Sequence, residues 1–220
     1  MKIYLASDMH IGIDDSNYPA ILDFFKLVQS DGDELILLGD TFDLWLNSFN
    51  NITTREPYKA AYDALMKTSS RVPTTMVCGN HDYDLRNHLR NPNIKIEDRF
   101  TRGTCRYMHG WELDALQVTA SSAYVFMLEL FPYFYQKYIY KPRDQRYGLT
   151  HNDITNAFAK KYVKDKGFSY ILYGHTHEPM IEGPLLNCGD FVEHASFITI
   201  TEGVAELWNI ENGKKVKEPS

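Results

Sequence analysis

Three short apolar runs near the start of the chain, residues 2–7, 34–38 and 74–78, each stop abruptly at a block of Gly, Asp, Asn or His. Between the first two, Ile21, Leu22, Phe24, Phe25, Leu27 and Val28 recur at helical spacing and predict a helix over about residues 19–29. Between the second and third, residues 55–66 read as another helix, with Pro57 in its first turn. Strand, helix, strand, helix, strand is the pattern of parallel βαβ units. Runs that are apolar throughout suit strands covered on both faces. Parallel strands deliver their carboxyl ends to one edge of a sheet, the edge at which open α/β sheets bind ligands. The fold is therefore expected to gather the polar blocks in space.

Five such blocks occur. Asp8-Met-His10, Gly39-Asp40-Thr-Phe-Asp43 and Gly79-Asn80-His81-Asp82 follow the three runs. Met108-His109-Gly110 closes a run that begins at Thr104, and Gly174-His175-Thr-His177 closes residues 170–173. Taken singly, each is an ordinary polar turn; five in succession, each after a strand, point to a metal centre. Asp, Asn and His without thiolate suit Mn²⁺, Fe or Zn²⁺. Carboxylates and neutral imidazoles share a buried site only when cations offset the charge and its desolvation. Asp8, Asp40, Asn80, His10, His109, His175 and His177 are too many for one tetrahedral ion. They suffice for two ions sharing a carboxylate, which, at about 3.5–4 Å apart, form a recurrent clamp for phosphoester hydrolysis. His88, His151 and His194 fall outside the pattern and read as surface residues.

The order Asp-x-His, Gly-Asp-x-x-Asp, Gly-Asn-His-Asp, His, Gly-His-x-His across residues 8–177 resembles the calcineurin-like metallophosphoesterase superfamily. The resemblance implies an α/β fold, an αββα four-layer sandwich of two mixed sheets with flanking helices. It implies one ion on Asp8, His10, Asp40 and His177 and a second on Asp40, Asn80, His109 and His175, with Asp40 bridging. His81 would face the phosphate and protonate the leaving oxygen, with Asp82 as the natural partner to orient it, or else engaged by backbone groups. Mn²⁺ is the first expectation for both ions, and direct attack by a dimetal-bound hydroxide is the expected chemistry. Within the superfamily, Gly39-Asp40-Thr-Phe-Asp43-Leu-Trp45 is most similar to the UDP-2,3-diacylglucosamine hydrolases, which cut a pyrophosphate in lipid A synthesis. Those enzymes commonly carry Arg at the position of His81 and Asp at the position of Trp111, where this chain departs from them.

After residue 167, short apolar runs punctuated by Gly-Pro, Gly-Asp and Glu-Gly read as an antiparallel meander. Residues 121–166 are aromatic-rich and then basic, and read as a helical insertion of two helices within a single domain spanning 1–220. The insertion is a candidate lid in which Arg143 and Arg146 would hold a second phosphate, a task for which the planar guanidinium fork is suited; the plainer reading is a packed hairpin with solvated lysines. Net charge −6 argues against a nucleic-acid partner. The expected partner is a phosphorylated small molecule or lipid-linked substrate. The alternative functions are a metal-dependent phosphodiesterase or nuclease and a non-catalytic scaffold that keeps the metal site. No transmembrane segment is expected, since the most apolar stretch, residues 124–140, is broken by Glu129, Pro132, Gln136 and Lys137; peripheral membrane contact is left open. The first residues turn polar too early for a signal peptide, and a cytoplasmic location is expected. Cys78, Cys105 and Cys188 show neither zinc nor disulfide spacing.

Overall fold

The computed structural model describes residues 1–113, 151–211 and 214–217. Strands β1 (Lys2–Ala6), β2 (Glu34–Leu38), β3 (Thr74–Val77) and β4 (Ile94–Glu97) run parallel, side by side. A second group, β5 (Arg99–Arg102), β6 (Cys105–Met108), β7 (Tyr170–Tyr173), β8 (Met180–Glu182) and β9 (Leu185–Asn187), forms a five-stranded sheet in the order β5-β6-β7-β9-β8. The last strands, β10 (Ser196–Thr201), β11 (Val204–Glu211) and β12 (Lys214–Lys217), return to the first sheet. Its order is β12-β11-β10-β1-β2-β3-β4, with β10 antiparallel to β1.

The tail thus differs from the expected single meander. β10 to β12 are antiparallel neighbours, but β7 and β9 pair in parallel within the other sheet. Turn residues signal where a strand ends; they do not specify which sheet edge receives the next one.

Strand side chains alternate between faces, and the alternation sorts the molecule into layers. Tyr4 and Ala6 of β1 and Leu35 and Leu37 of β2 pack with Phe24 and Phe25 of helix α1 (Tyr18–Asp31). Ile3, Leu5, Ile36 and Leu38 point the other way, into a core shared with Tyr107, Leu172 and Leu186 of the second sheet. On that sheet's far side, Ile171, Tyr173 and Leu185 pack against Ala159 and Val163 of a helix spanning His151–Lys166. Helix, sheet, sheet, helix is the four-layer order that the resemblance implies. Each fully buried Leu or Ile contributes about 1.5–3 kcal/mol, so the inter-sheet core holds the two sheets, and their strand ends, in fixed relation.

Helix α1 starts where Asn17 Oδ1 accepts the Ala20 N–H at 3.1 Å, a standard side-chain cap. The expected helix over 55–66 is α3 (Tyr58–Ser69), and a further short helix, α2 (Phe49–Thr54), precedes it. Proline disfavours helical backbone in the residue before it, so α3 begins after Pro57 rather than before it. With α4 (Leu85–His88) following β3, the helix at His151–Lys166 is α5. All three cysteines are free, Cys78 and Cys188 buried and Cys105 half-buried. Among the described residues no helix is long and apolar enough to cross a membrane. Most of the expected insertion, residues 121–150, lies outside the described residues.

Candidate metal centre

The loops that leave β1 and β2 continue together beyond the sheet: Asp8 N–H donates to Gly39 O at 3.1 Å and His10 N–H to Asp40 O at 3.0 Å. Beyond β6 and β7 the same happens, with Gly174 N–H donating to His109 O at 2.8 Å. The two sheets are then joined through a side chain: His175 N–H donates to Asp8 Oδ2 at 2.9 Å. Within the first sheet, the loops after β2 and β3 are tied in the same way, with His81 N–H donating to Asp40 Oδ1 at 2.7 Å. A Cβ at Gly79 would overlap Asp40 Oδ1, and one at Gly174 would overlap Asp8 Oδ2. This is why the runs of β3 and β7 give way to glycine: a carboxylate from a neighbouring loop occupies the place of the missing side chain.

Backbone strain is concentrated at the same spot. Among the described residues, seven non-glycines have positive φ, and five of them are Asp8, His10, Asp40, His175 and His177, at 46° to 68°. Such backbone is uncommon outside glycine and costs on the order of 1–3 kcal/mol where the region is sparsely populated. Packing around the strand ends therefore imposes a geometry that the local chain disfavours.

Each aspartate divides its oxygens between scaffold and centre. With Oδ2 held by a backbone amide, Asp8 turns Oδ1 inward, 3.2 Å from His177 Nε2 and 3.9 Å from both His10 Nε2 and His109 Nε2. Asp40 turns Oδ2 inward, 3.2 Å from His109 Nε2 and 4.0 Å from His10 Nε2. The imidazoles are aimed in the same way. His109 Nδ1 donates to Leu38 O at 2.7 Å, and His10 Nδ1 lies 3.2 Å from Asp43 Oδ2. Outer partners of this kind fix ring orientation at metal sites. Three groups of candidate ligand atoms result, each within 4.8 Å: Asp8, His10 and His177; His10, Asp40 and His81; and Asp8, Asp40 and His109.

The donor set fits a cation. Asp8 Oδ1 is buried without a hydrogen-bond partner. His109 spends its Nδ1 proton on Leu38 O, so a neutral ring would turn a lone pair on Asp40 Oδ2 and on Asn80 Oδ1, 3.2 Å away. His10 Nε2 and His177 Nε2 face each other at 3.3 Å. Each clash of acceptors is removed by a proton or a metal ion between them. The electrostatics agree. Burial alone would push the Asp8 carboxyl up, but His109 and His177 outweigh it and hold it down at about 2. Burial likewise opposes charge on His109, yet Asp40 and Asp8 pull it up to about 10. Against the same opposition, Asp8 pulls His177 up to about 9. The carboxylates create a field that demands positive charge.

Residues 1–179 match the family model for calcineurin-like phosphoesterases. The chain belongs to that family. Curated relatives of this phosphoesterase include a UDP-2,3-diacylglucosamine hydrolase of Shewanella baltica, 24% identical over 93% of this chain and 95% of its own. Another, from Vibrio atlanticus, is 23% identical over 96% of this chain and 98% of its own. Among solved structures, TT1561 of Thermus thermophilus superimposes with a TM-score of 0.53 at 14% identity, covering 94% of this chain and 98% of that one. A Vps29 variant from Entamoeba histolytica gives 0.51 at 13% identity, with full coverage of both. These two likenesses concern the fold. The family is metal-dependent, and the Asp/His cluster is this phosphoesterase's candidate metal site.

The sequence-derived residues converge unequally. Asp8, His10, Asp40, Asn80, His109 and His177 meet as described. His175 stands beside the centre, its ring 5.2 Å from that of His109, and is absent from the three groups. His81 shares a group with His10 and Asp40. Arg143 and Arg146 lie outside the described residues. His88 and His194 are exposed, as expected of surface residues, though His194 Nδ1 pairs at 2.7 Å with buried Asp190, whose Oδ2 is also 4.0 Å from His177 Nδ1.

The expectation that Asp82 orients His81 requires correction. Asp82 is fully buried, and its carboxylate accepts the backbone N–H groups of Gly79 (2.7 Å), Asp40 (3.2 Å), Thr41 (2.9 Å) and Phe42 (3.2 Å). It ties the loop after β3 to the loop after β2. Asp43, to which the sequence assigned no role, lies 2.9 Å from His81 Nδ1 through the same Oδ2 that faces His10. Its only sequence signal was its place in the second block. An Asp82→Ala variant should lose about 3 kcal/mol or more in chemical denaturation, because each stranded buried donor costs roughly 1–3 kcal/mol. A loss below about 1 kcal/mol would mean that the four amides find other acceptors and that the latch is dispensable.

Proposed function

We propose that this phosphoesterase is a single-domain, dinuclear pyrophosphohydrolase whose substrate is a UDP-sugar or lipid-linked pyrophosphate. The observation that carries the reading is the facing of Asp8 Oδ1 and Asp40 Oδ2 onto the Nε2 atoms of His10, His109 and His177, with Asp8 Oδ1 accepting no hydrogen bond among the described residues. The names of the curated relatives support the pyrophosphate. Asp8, His10, Asp40 and His177 would hold one ion and Asp40, Asn80, His109 and His175 the other. Bound ions would supply Lewis acidity, polarising the phosphoryl oxygen and lowering the pKa of water from about 15.7 to about 7.

The chain's own residues do the rest. Asp40 links the two ligand sets. Asn80 offers an oxygen without adding a charge that would repel the phosphate. His81, with Nδ1 on Asp43, keeps the opposite ring nitrogen for a proton that passes to the leaving oxygen. Water adds across the P–O–P bond, and two phosphate monoesters result. Arg143 and Arg146 are assigned from sequence to the second phosphate. A cytoplasmic place, with contact at the membrane surface where a lipid-linked substrate lies, goes with this reading.

The test is an assay of metal-loaded protein on p-nitrophenyl phosphate, bis-p-nitrophenyl phosphate and UDP-sugar pyrophosphates. Preferred turnover of the pyrophosphates, with KM raised when Arg143 and Arg146 are both alanine, is the expected result. Preference for the diester would favour the nuclease reading, and no turnover of any substrate would favour the scaffold. Mn²⁺ is the proposed ion. Returned to chelated protein at about 100 times its Kd, it should add about 2.7 kcal/mol of stability. For a chain of this size that is a rise in Tm of about 5–10 °C. An unchanged Tm would remove Mn²⁺ from the proposal.

A further inference from the structure

We propose that Trp45 is a positioning residue for the proton-transfer step: its indole sets the plane of the His81 imidazole and so aims the ring nitrogen opposite Asp43 at the leaving oxygen. The inference rests on the assignment of His81 as the acid. Trp45 and His81 have ring centroids 3.8 Å apart and planes 28° apart, a face-to-face stack. On another side, His10 meets His81 edge-on, at 4.7 Å and 88°. Asp43 Oδ2 holds Nδ1 at 2.9 Å.

These contacts restrain different motions. A hydrogen bond at Nδ1 restrains one atom of the ring but leaves small coupled rotations about Cα–Cβ and Cβ–Cγ that tilt its plane. A flat partner laid on the ring face opposes that tilt. Hydrogen bond and stack come from one stretch of chain, and that stretch is itself fastened: Leu46 N–H donates to Asp43 Oδ1 at 2.9 Å, and Leu44 N–H donates to His81 O at 3.1 Å. Trp45 is also poorly placed to be filler. Its neighbours Leu44 and Phe49 pack against an apolar core, whereas Trp45 belongs to none of the three cores among the described residues and stays half-buried over His81. An aromatic pair of this kind is favourable in its own right, and misplacing a catalytic group by about 1 Å can cost on the order of 10²-fold in rate.

The test is a double-mutant cycle of Trp45→Leu with His81→Ala, read as kcat and KM on aryl and alkyl phosphate esters of one series, with metal content measured in each variant. Trp45→Leu should lower kcat on the alkyl ester by about 10–100-fold, a part of what a general acid contributes. KM should stay close to wild type, and the loss on the p-nitrophenyl ester, whose leaving group needs no proton, should be clearly smaller. Trp45→Phe, which keeps a flat face, should recover most of the alkyl rate. In the His81→Ala background, Trp45→Leu should cost nothing further. Equal losses on both esters, a loss that persists without His81, or a raised KM with kcat kept would each overturn the proposal, the last by making Trp45 a substrate platform. Should the Leu variant shed metal, Trp45→Phe must show the same inequality in smaller measure, and its failure to do so counts against the proposal. If His81→Ala alone is indifferent to the leaving group, the acid assignment falls and Trp45 with it; if His81→Ala discriminates and the Trp45 variants do not, only Trp45 falls.

Discussion

Asp40→Asn is expected to leave the protein with well under half of the wild-type bound metal and to reduce kcat/KM by about 10³-fold or more. Its Oδ2 is the oxygen placed between His109 Nε2, at 3.2 Å, and His10 Nε2, at 4.0 Å, nitrogens assigned to different ions. The amide keeps the size of the carboxylate and can still accept the His81 N–H that Oδ1 accepts at 2.7 Å. It removes a full negative charge from a buried site, where His109 and His81 outweigh burial and hold Asp40 ionised, well below the usual carboxylate range. Losing a ligand common to both ions removes several kcal/mol of transition-state stabilisation. At 1.36 kcal/mol per factor of ten, about 4 kcal/mol gives the stated loss. Elemental analysis and steady-state kinetics decide it. Two tightly held ions with full turnover in Asp40→Asn would end the bridging assignment.

His81→Ala separates chemistry from metal binding. The variant should keep its metal and lose about 10²–10⁴-fold in kcat on substrates with poor leaving groups, the usual worth of a general acid. On p-nitrophenyl phosphate the loss should be much smaller. Opposed by burial, Asp40 and Asp43 nevertheless raise the imidazole's affinity for its proton, which suits a group that must arrive protonated. His81 also shares a group of candidate ligand atoms with His10 and Asp40. Loss of metal in His81→Ala, with equal loss on all leaving groups, would make it a ligand instead of an acid.

Asp82 and Asp43 are both aspartates near His81, one adjacent in sequence and one in a different loop. Adjacency favoured Asp82, but consecutive side chains rarely face each other, and Asp82 is claimed by amides of Gly79 and of residues 40–42. Those amides are left without strand partners only because the chain turns there. Which carboxylate serves them depends on how two loops approach. Trp45 and Asp190 escaped the sequence for the same reason: each acts on a histidine from another block, at His81 and at His177.

By itself, the sequence determined the local elements and the identity of the chemistry. Apolar runs of strand length, helical spacing between them and the polar blocks that end them are all short-range features, and they implied parallel strands with their carboxyl ends at one edge. The types of residue in the five blocks, and their order, implied a metal-dependent phosphoesterase. Only the tertiary structure decided which sheet took β7 to β9 and which took β10 to β12, which oxygen of Asp8 and Asp40 faces inward, and which aspartate stands behind His81. Those choices turn on hydrogen-bond partners and packed neighbours tens of residues apart, and no spacing along the chain encodes them.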